Sequence, residues 1–272
     1  MAMNMTPHVL IVAGSDSSGG AGIARDIETV ASFDVRTAIA VTAITAQTHS
    51  EVLAMEPVDA SLVESQMRAA LSANSIVAIK IGMMATEDTV LAIIDVLSDH
   101  PSIPVVLDPV ISSTSGARLL SLAGVELLRS QLLSLCLLAT PNLPELGILA
   151  GSNATVQTEE AASLQARILL GMGCRSVLVK GGHAVGPESI DILHSAGQQP
   201  RLFTSPRYKA TLRGTGCMLS SAIAANLALG RDMDAAIRAA QALVDGRFKS
   251  AAEPQPHQPS VAGNAWTVSA RC

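Results

Sequence analysis

The chain has 272 residues, 49% of them hydrophobic but only 2% aromatic, and carries a formal net charge of -5 at pH 7. That balance offers no broad basic surface for a phosphate backbone, which argues against nucleic acid as a partner and for a small molecule. Met1 to Pro7 lacks the basic flank and long apolar stretch of a signal peptide, and Val9 to Ala13 is strand length, not membrane length. No membrane partner is therefore expected, and a cytoplasmic location is.

In chain order, an apolar run from His8 to Ala13 leads into the glycine- and serine-rich Gly14 to Gly22. A helical pattern from Ile23 to about Phe33 follows. Further strand-like runs lie at Ala38 to Ala46, Ile76 to Ile81, Val105 to Leu107, Leu135 to Ala139, Ser176 to Val179 and Ile190 to Leu193. Most are separated by helical spacing. The alternation predicts an α/β fold with a mainly parallel central sheet and helices on both faces, its ligands beyond the carboxyl ends of the strands. A core so short of aromatics must be packed from Val, Ile, Leu, Ala and Met, which suits a covered sheet.

A helix starting at Thr215 or Gly216 carries a small-residue face, Ser220, Ser221, Ala224, Ala225 and Ala228, able to pack closely on the sheet. A second helix is expected from Asp232 to about Phe248. Residues 1–250 show no composition break and read as one domain. Residues 251–272, with Pro254, Pro256 and Pro259, are expected to be weakly ordered.

The four cysteines are widely spaced, so neither a zinc site nor a disulfide framework is indicated. Cys136 and Cys174 adjoin apolar runs and read as small hydrophobes. Cys217 differs because it lies in Arg213-Gly-Thr-Gly-Cys-Met218, which leads directly into a helix. Gly214 and Gly216 permit a tight turn, and the amides of that turn would converge at the positive end of the helix dipole, where anions bind. The field there would lower the pKa of Cys217, although a plain helix-start turn with a small residue explains the same spacing.

Gly14 to Gly22 fits neither the P-loop pattern nor a dinucleotide fingerprint, which disfavours a Rossmann dehydrogenase. It reads as a phosphate cradle or as a wall around a polar small molecule. Asp16 and Asp26 flank it, either as acceptors for a hydroxyl or as a turn residue and an exposed helix residue. Asp108, then Asn142 and Glu145, then Lys180 follow three of the strand-like runs, so all would project toward one sheet edge. Two carboxylates with a nearby amide suit a water-rich Mg²⁺, and a lysine suits phosphate oxygens in transfer. Singly, each is more often a strand end or helix cap.

These segments, in order, resemble the motifs of the hydroxymethylpyrimidine/phosphomethylpyrimidine kinases, a family of the ribokinase-like superfamily. The matching stretches are Ala13 to Ile23, Thr42 to Gln47, Lys80 to Met83, Leu107 to Val110, Ser113 to Gly116, Thr140 to Glu145, Val179 to His183 and Gly214 to Cys217. The resemblance implies a ribokinase-like fold, a homodimer, and ATP-dependent phosphorylation of 4-amino-5-hydroxymethyl-2-methylpyrimidine and then of its monophosphate. By the same likeness Gly14, Asp26, Gln47, Met83 and Val110 match the substrate pocket, with the Gln47 amide suited to an aminopyrimidine edge. Asp108, Asn142, Glu145, Lys180 and Thr215 match the nucleotide region, Asp108 and Glu145 on Mg²⁺, and Arg213 beside them is expected to add a nucleotide contact. Gly214, Gly216, Cys217 and Lys180 match the transfer site.

The sequence departs from that family at several positions. Arg213 stands where His is usual, Met218 where Thr is, Ala117 where Asp often is, Thr48-His49 for Asn-Thr, and Asp34 for a common Gly. A pyridoxal or pyridoxine kinase, and a non-catalytic pyrimidine-binding protein, are the competing expectations.

Overall fold

The computed structural model describes residues 6–113, 116–152, 158–181, 188–208 and 211–252. Among them, nine strands form one sheet in the order β3-β2-β1-β4-β5-β6-β7-β8-β9. The strands are β1 (His8–Asp16), β2 (Arg36–Gln47), β3 (Val52–Pro57), β4 (Ile76–Ile81), β5 (Val105–Leu107), β6 (Leu138–Ala139), β7 (Ser176–Val179), β8 (Glu188–Ser195) and β9 (Arg201–Pro206). The run from β2 through β1 and β4 to β7 is parallel, while β3, β8 and β9 pair antiparallel at the two margins. The helices are α1 (Gly22–Ala31), α2 (Ala60–Ala73), α3 (Glu87–Ser98), α4 (Leu122–Ser130), α5 (Leu143–Leu149), α6 (Glu159–Gly171), α7 (Thr215–Ala228) and α8 (Met233–Ala252).

The apolar run of β1 is continuous because both faces are covered. Leu10 and Val12 point into a core shared with Met67 of α2, Ile93 of α3 and Leu169 of α6. Val9, Ile11 and Ala13 point the other way, toward Val30 of α1, Ile223 of α7 and Ile237 of α8. Successive side chains leave a strand on opposite faces, so one sequence run feeds both layers.

Three expectations change. The run from Leu135 to Ala139 is not one strand: Leu132–Leu135 is a 3-10 turn and only Leu138–Ala139 pairs. Edge strands β3 and β9 were not anticipated, since β3 turns most and β9 half of its residues to solvent and neither shows apolar alternation. Helix α7 buries Met218 to Asn226 on every side, not along one small-residue face. It packs against α1, α8 and the sheet at once, and its serines and alanines let three neighbours approach. Helix α8 runs on to Ala252, beyond the expected Phe248; residues 253–272 and Gly182-His183 lie outside the described residues. Asp34 adopts φ 57, the left-handed region that Asp tolerates better than most side chains.

Candidate active site

Strand order reverses at β1, whose neighbours are β2 on one side and β4 on the other, and parallel strands end there with a crevice between their connections. A cavity of about 710 Å³ occupies that crevice and continues across the carboxyl ends as far as β9. Its walls follow the sheet order. Gly14, Asp16, Gln47, Met83 and Val110 line the part above β1, β2, β4 and β5, whereas Asn142, Glu145, Lys180, Ser205 and Tyr208 line the part above β6 to β9. Gly214 to Cys217 lie along the same wall.

The start of α7 is built for close approach. Gly214 is the N-cap at φ 73, and a β-carbon there would meet the Gly20 carbonyl oxygen at 2.3 Å. No side chain among the described residues caps this helix, so its first N–H groups are left for another acceptor. A β-carbon on Gly216 would stand 3.2 Å from Lys180 Nζ, which puts the lysine's charge directly over the turn. Positive charge and unpaired amides converge where an anion would sit. Cys217 departs from expectation: burial pushes its thiol up to about 11, and the charge on Lys80 and the Gly22 amide only partly offset that. The helix field does not prevail because desolvation of this half-buried side chain outweighs it.

Lys180 follows directly on β7 and donates to Asp108 Oδ1 at 2.8 Å, with Glu145 Oε2 3.9 Å away. Asn142 and Glu145 form the capping box of α5: Asn142 Oδ1 accepts from the Glu145 amide and Glu145 Oε2 from the Asn142 amide, each at 2.9 Å. The cap and the site reading of these residues are thus compatible, because the cap holds the Glu145 carboxylate beside Lys180. Burial lifts the Glu145 carboxyl to about 7, with Asp108 adding to the effect and Lys180 opposing it.

A stability prediction follows for the metal-free protein. A carboxyl raised from 4.5 to about 7 binds more protons folded than unfolded, so its contribution to stability falls as pH rises through that window. Glu145→Gln should therefore lose stability relative to wild type at pH 5 and recover it by pH 8, in urea melts without magnesium. A pH-independent difference would contradict the shift.

Lys80 was seen only as part of a motif, yet it is fully buried on β4 and forms an ion pair with Asp26 of α1 at 2.7 Å. Burial works against its charge, but Asp26 and Asp108 outweigh that and hold it protonated. A lysine inside the apolar Ile76 to Ile81 was the available signal. Asp26, expected in the substrate pocket, is neither exposed nor part of the cavity wall; Ser221 Oγ donates to its second oxygen at 2.7 Å. It lies beneath the site as the counterion of Lys80. At the far end, Asp191 accepts from the Gly181 amide at 2.9 Å and from Gln241 at 2.8 Å, which ties the Lys180-Gly181 turn to α8. Tyr208 and Phe248 stack there with ring centroids 5.0 Å apart.

Comparison with known proteins agrees with this geometry. The family described as phosphomethylpyrimidine kinase matches residues 16–261. A protein of Rhizobium meliloti named hydroxymethylpyrimidine/phosphomethylpyrimidine kinase is 40% identical over 247 residues, 91% of this chain and 92% of that protein. The chain belongs to the phosphomethylpyrimidine kinase family. Two solved structures extend the likeness. The phosphomethylpyrimidine kinase of Clostridium difficile is 32% identical with a TM-score of 0.78, covering 89% of this chain and 99% of its own. The pyridoxal kinase of Staphylococcus aureus, solved with pyridoxal, is 30% identical with a TM-score of 0.81, covering 90% of this chain and 88% of its own. That enzyme has also been solved with ADP and with AMP-PCP.

As members of this family are kinases, the donor set can be tested for Mg²⁺. Among the described residues no group of three or more His, Cys, Asp or Glu side chains is placed to cage a metal. Asp108 and Glu145 instead offer two hard carboxylates on the same cavity wall as the start of α7. That suits an ion which keeps most of its waters and takes one or two carboxylates plus substrate phosphates. No helix among the described residues is long and apolar enough to cross a membrane.

Proposed function

We propose that this phosphomethylpyrimidine kinase family member transfers the γ-phosphoryl group of ATP to the hydroxymethyl group of 4-amino-5-hydroxymethyl-2-methylpyrimidine, and then to the resulting monophosphate, in thiamine biosynthesis. The observation that carries the reading is the meeting of Lys180, Asp108 and the uncapped amides of α7 on one cavity wall. The Rhizobium meliloti relative carries the name of that activity over nearly its whole length.

In this reading Gly14, Gln47, Met83 and Val110 hold the acceptor ring, and the Gln47 amide pairs with its nitrogen edge. Asn142, Glu145, Asp108, Thr215 and Lys180 hold the nucleotide. When bound, Mg²⁺ supplies charge neutralisation at the phosphate oxygens. The amides of Gly214 to Cys217 hold a transferring phosphate oxygen, and Lys180 follows the negative charge as it shifts toward the leaving group. Cys217 in the ligand-free protein is a neutral thiol near pH 7, so it faces the acceptor hydroxyl as a close polar contact and not as a ready base. The protein acts as a cytoplasmic homodimer with one kinase domain spanning residues 1–250.

Pyridoxal kinase activity is the second reading, favoured by the Staphylococcus aureus structure at a TM-score of 0.81. The test is incubation of the purified protein with Mg-ATP and either the pyrimidine, its monophosphate or pyridoxine, with products identified by mass. Phosphorylated pyrimidine and diphosphate are expected. Product from pyridoxine alone would transfer the activity to that substrate, and no product from any of the three despite pyrimidine binding would leave a binding protein.

A further inference from the structure

Arg213 was expected to touch the nucleotide, but its guanidinium turns the other way. Nη1 donates to the Thr48 carbonyl oxygen at 2.6 Å and to Ser18 Oγ at 3.2 Å. Nη2 donates to Gln47 Oε1 at 3.3 Å and stands 3.5 Å from Asp16 Oδ2. All four partners lie at or just after the carboxyl ends of β1 and β2, and two of them, Asp16 and Gln47, line the part of the cavity above those strands. Asp16 Oδ2 is buried and has no hydrogen bond among the described residues, so the guanidinium is the charge that compensates it.

From this geometry we infer that Arg213 is the positioning residue of the acceptor end: it orients the Gln47 amide and latches the Gly14 to Gly22 loop and the end of β2 to the start of α7. The backbone of Gln47 is already held by Ser17, whose Oγ accepts from the Gln47 amide at 2.9 Å and donates to its carbonyl oxygen at 3.0 Å. What Ser17 leaves undetermined is the side chain. A guanidinium only donates, so it determines which end of the amide is the oxygen and leaves Nε2 to donate to a bound ring. A planar fork can serve Thr48, Ser18 and Gln47 together, which the point charge of a lysine cannot. Arg213 thereby sets affinity for the acceptor rather than for Mg-ATP. The acceptor part of this inference rests on the proposed pyrimidine kinase activity; the latch does not.

The test has two independent arms. In the ligand-free protein, Arg213→Ala should speed hydrogen exchange in peptides covering residues 15–22 and 47–52, and leave α5 and α6 unchanged. In turnover with 4-amino-5-hydroxymethyl-2-methylpyrimidine, the same variant should raise KM for the pyrimidine on the order of tenfold while KM for Mg-ATP moves less than about twofold. Arg213→Lys, which keeps the charge beside Asp16, should restore only part of the pyrimidine affinity. Unchanged exchange in both peptides would overturn the latch. A rise in KM for Mg-ATP with the pyrimidine KM unaltered would overturn the acceptor role and return Arg213 to the nucleotide. If the wild-type protein turns over no pyrimidine, the functional reading fails, and the exchange arm still decides the latch.

Discussion

Lys80→Met is expected to destabilise the protein by about 3–5 kcal/mol, because it leaves the Asp26 carboxylate buried with no opposite charge. Lys80 and Asp26 are both fully buried, and their contact joins β4 to α1. Ser221 then ties Asp26 to α7, so three elements that frame the anion site meet at this pair. The double variant Lys80→Met/Asp26→Asn removes both charges and keeps an oxygen for Ser221; it should recover most of the lost stability. Urea melts of the two single variants and the double complete the cycle. A Lys80→Met protein within about 1 kcal/mol of wild type would show that Asp26 is already neutral in the fold. A buried pair is no more stabilising than a well-packed apolar one, so its presence beside Cys217 argues for a functional reason to keep positive charge there.

Lys180→Ala should lower kcat by a factor on the order of 10²–10³, the usual cost of removing one charge-stabilising donor from a transition state. Lys180 donates to Asp108 at 2.8 Å and sits over Gly216, so in the proposed reaction its charge would act where the phosphoryl group passes. KM for the pyrimidine should change little, since Gln47, Met83 and Val110 lie on the other side of the cavity. The substitution also brings the Asp108 and Glu145 carboxylates together without their shared cation, which should raise the Glu145 carboxyl further. Single-turnover kinetics with saturating Mg-ATP separate the two effects. A variant that keeps kcat and loses only nucleotide affinity would assign Lys180 to ground-state binding.

Much of the chemistry was readable in the chain because parallel sheets place strand ends at one edge. Once Val105 to Leu107 and Ser176 to Val179 are read as parallel strands, Asp108 and Lys180 have to emerge on the same side, and the structure brings them into contact. The glycines of Gly214-Thr-Gly216 before an apolar stretch likewise announced a helix start, and α7 begins at Thr215. Asn142 and Glu145 carried the capping-box spacing openly.

Other features depended on long-range packing. Asp26 looks like an exposed helix residue until α1 is laid on the sheet against Lys80, 54 positions away in sequence. Cys217 looks like an activated thiol until the desolvation of its half-buried side chain is known. The direction of Arg213 depends on how the Gly14 to Gly22 loop and the end of β2 fold over it, and its partners lie 165 to 197 positions away. Strands β3 and β9 were missed because edge strands owe their form to a neighbour's hydrogen bonds and not to an apolar period of their own.

By itself, then, the sequence determined the alternation of elements, the parallel core, the family and the groups that reach the sheet edge. These are set by local periodicity and by motifs whose residues are near one another in the chain. Only the tertiary structure decided which charges are paired, which are buried, and which way the long side chains turn. Those outcomes depend on solvent exclusion and on partners brought together by packing, and neither is encoded in any single stretch of residues.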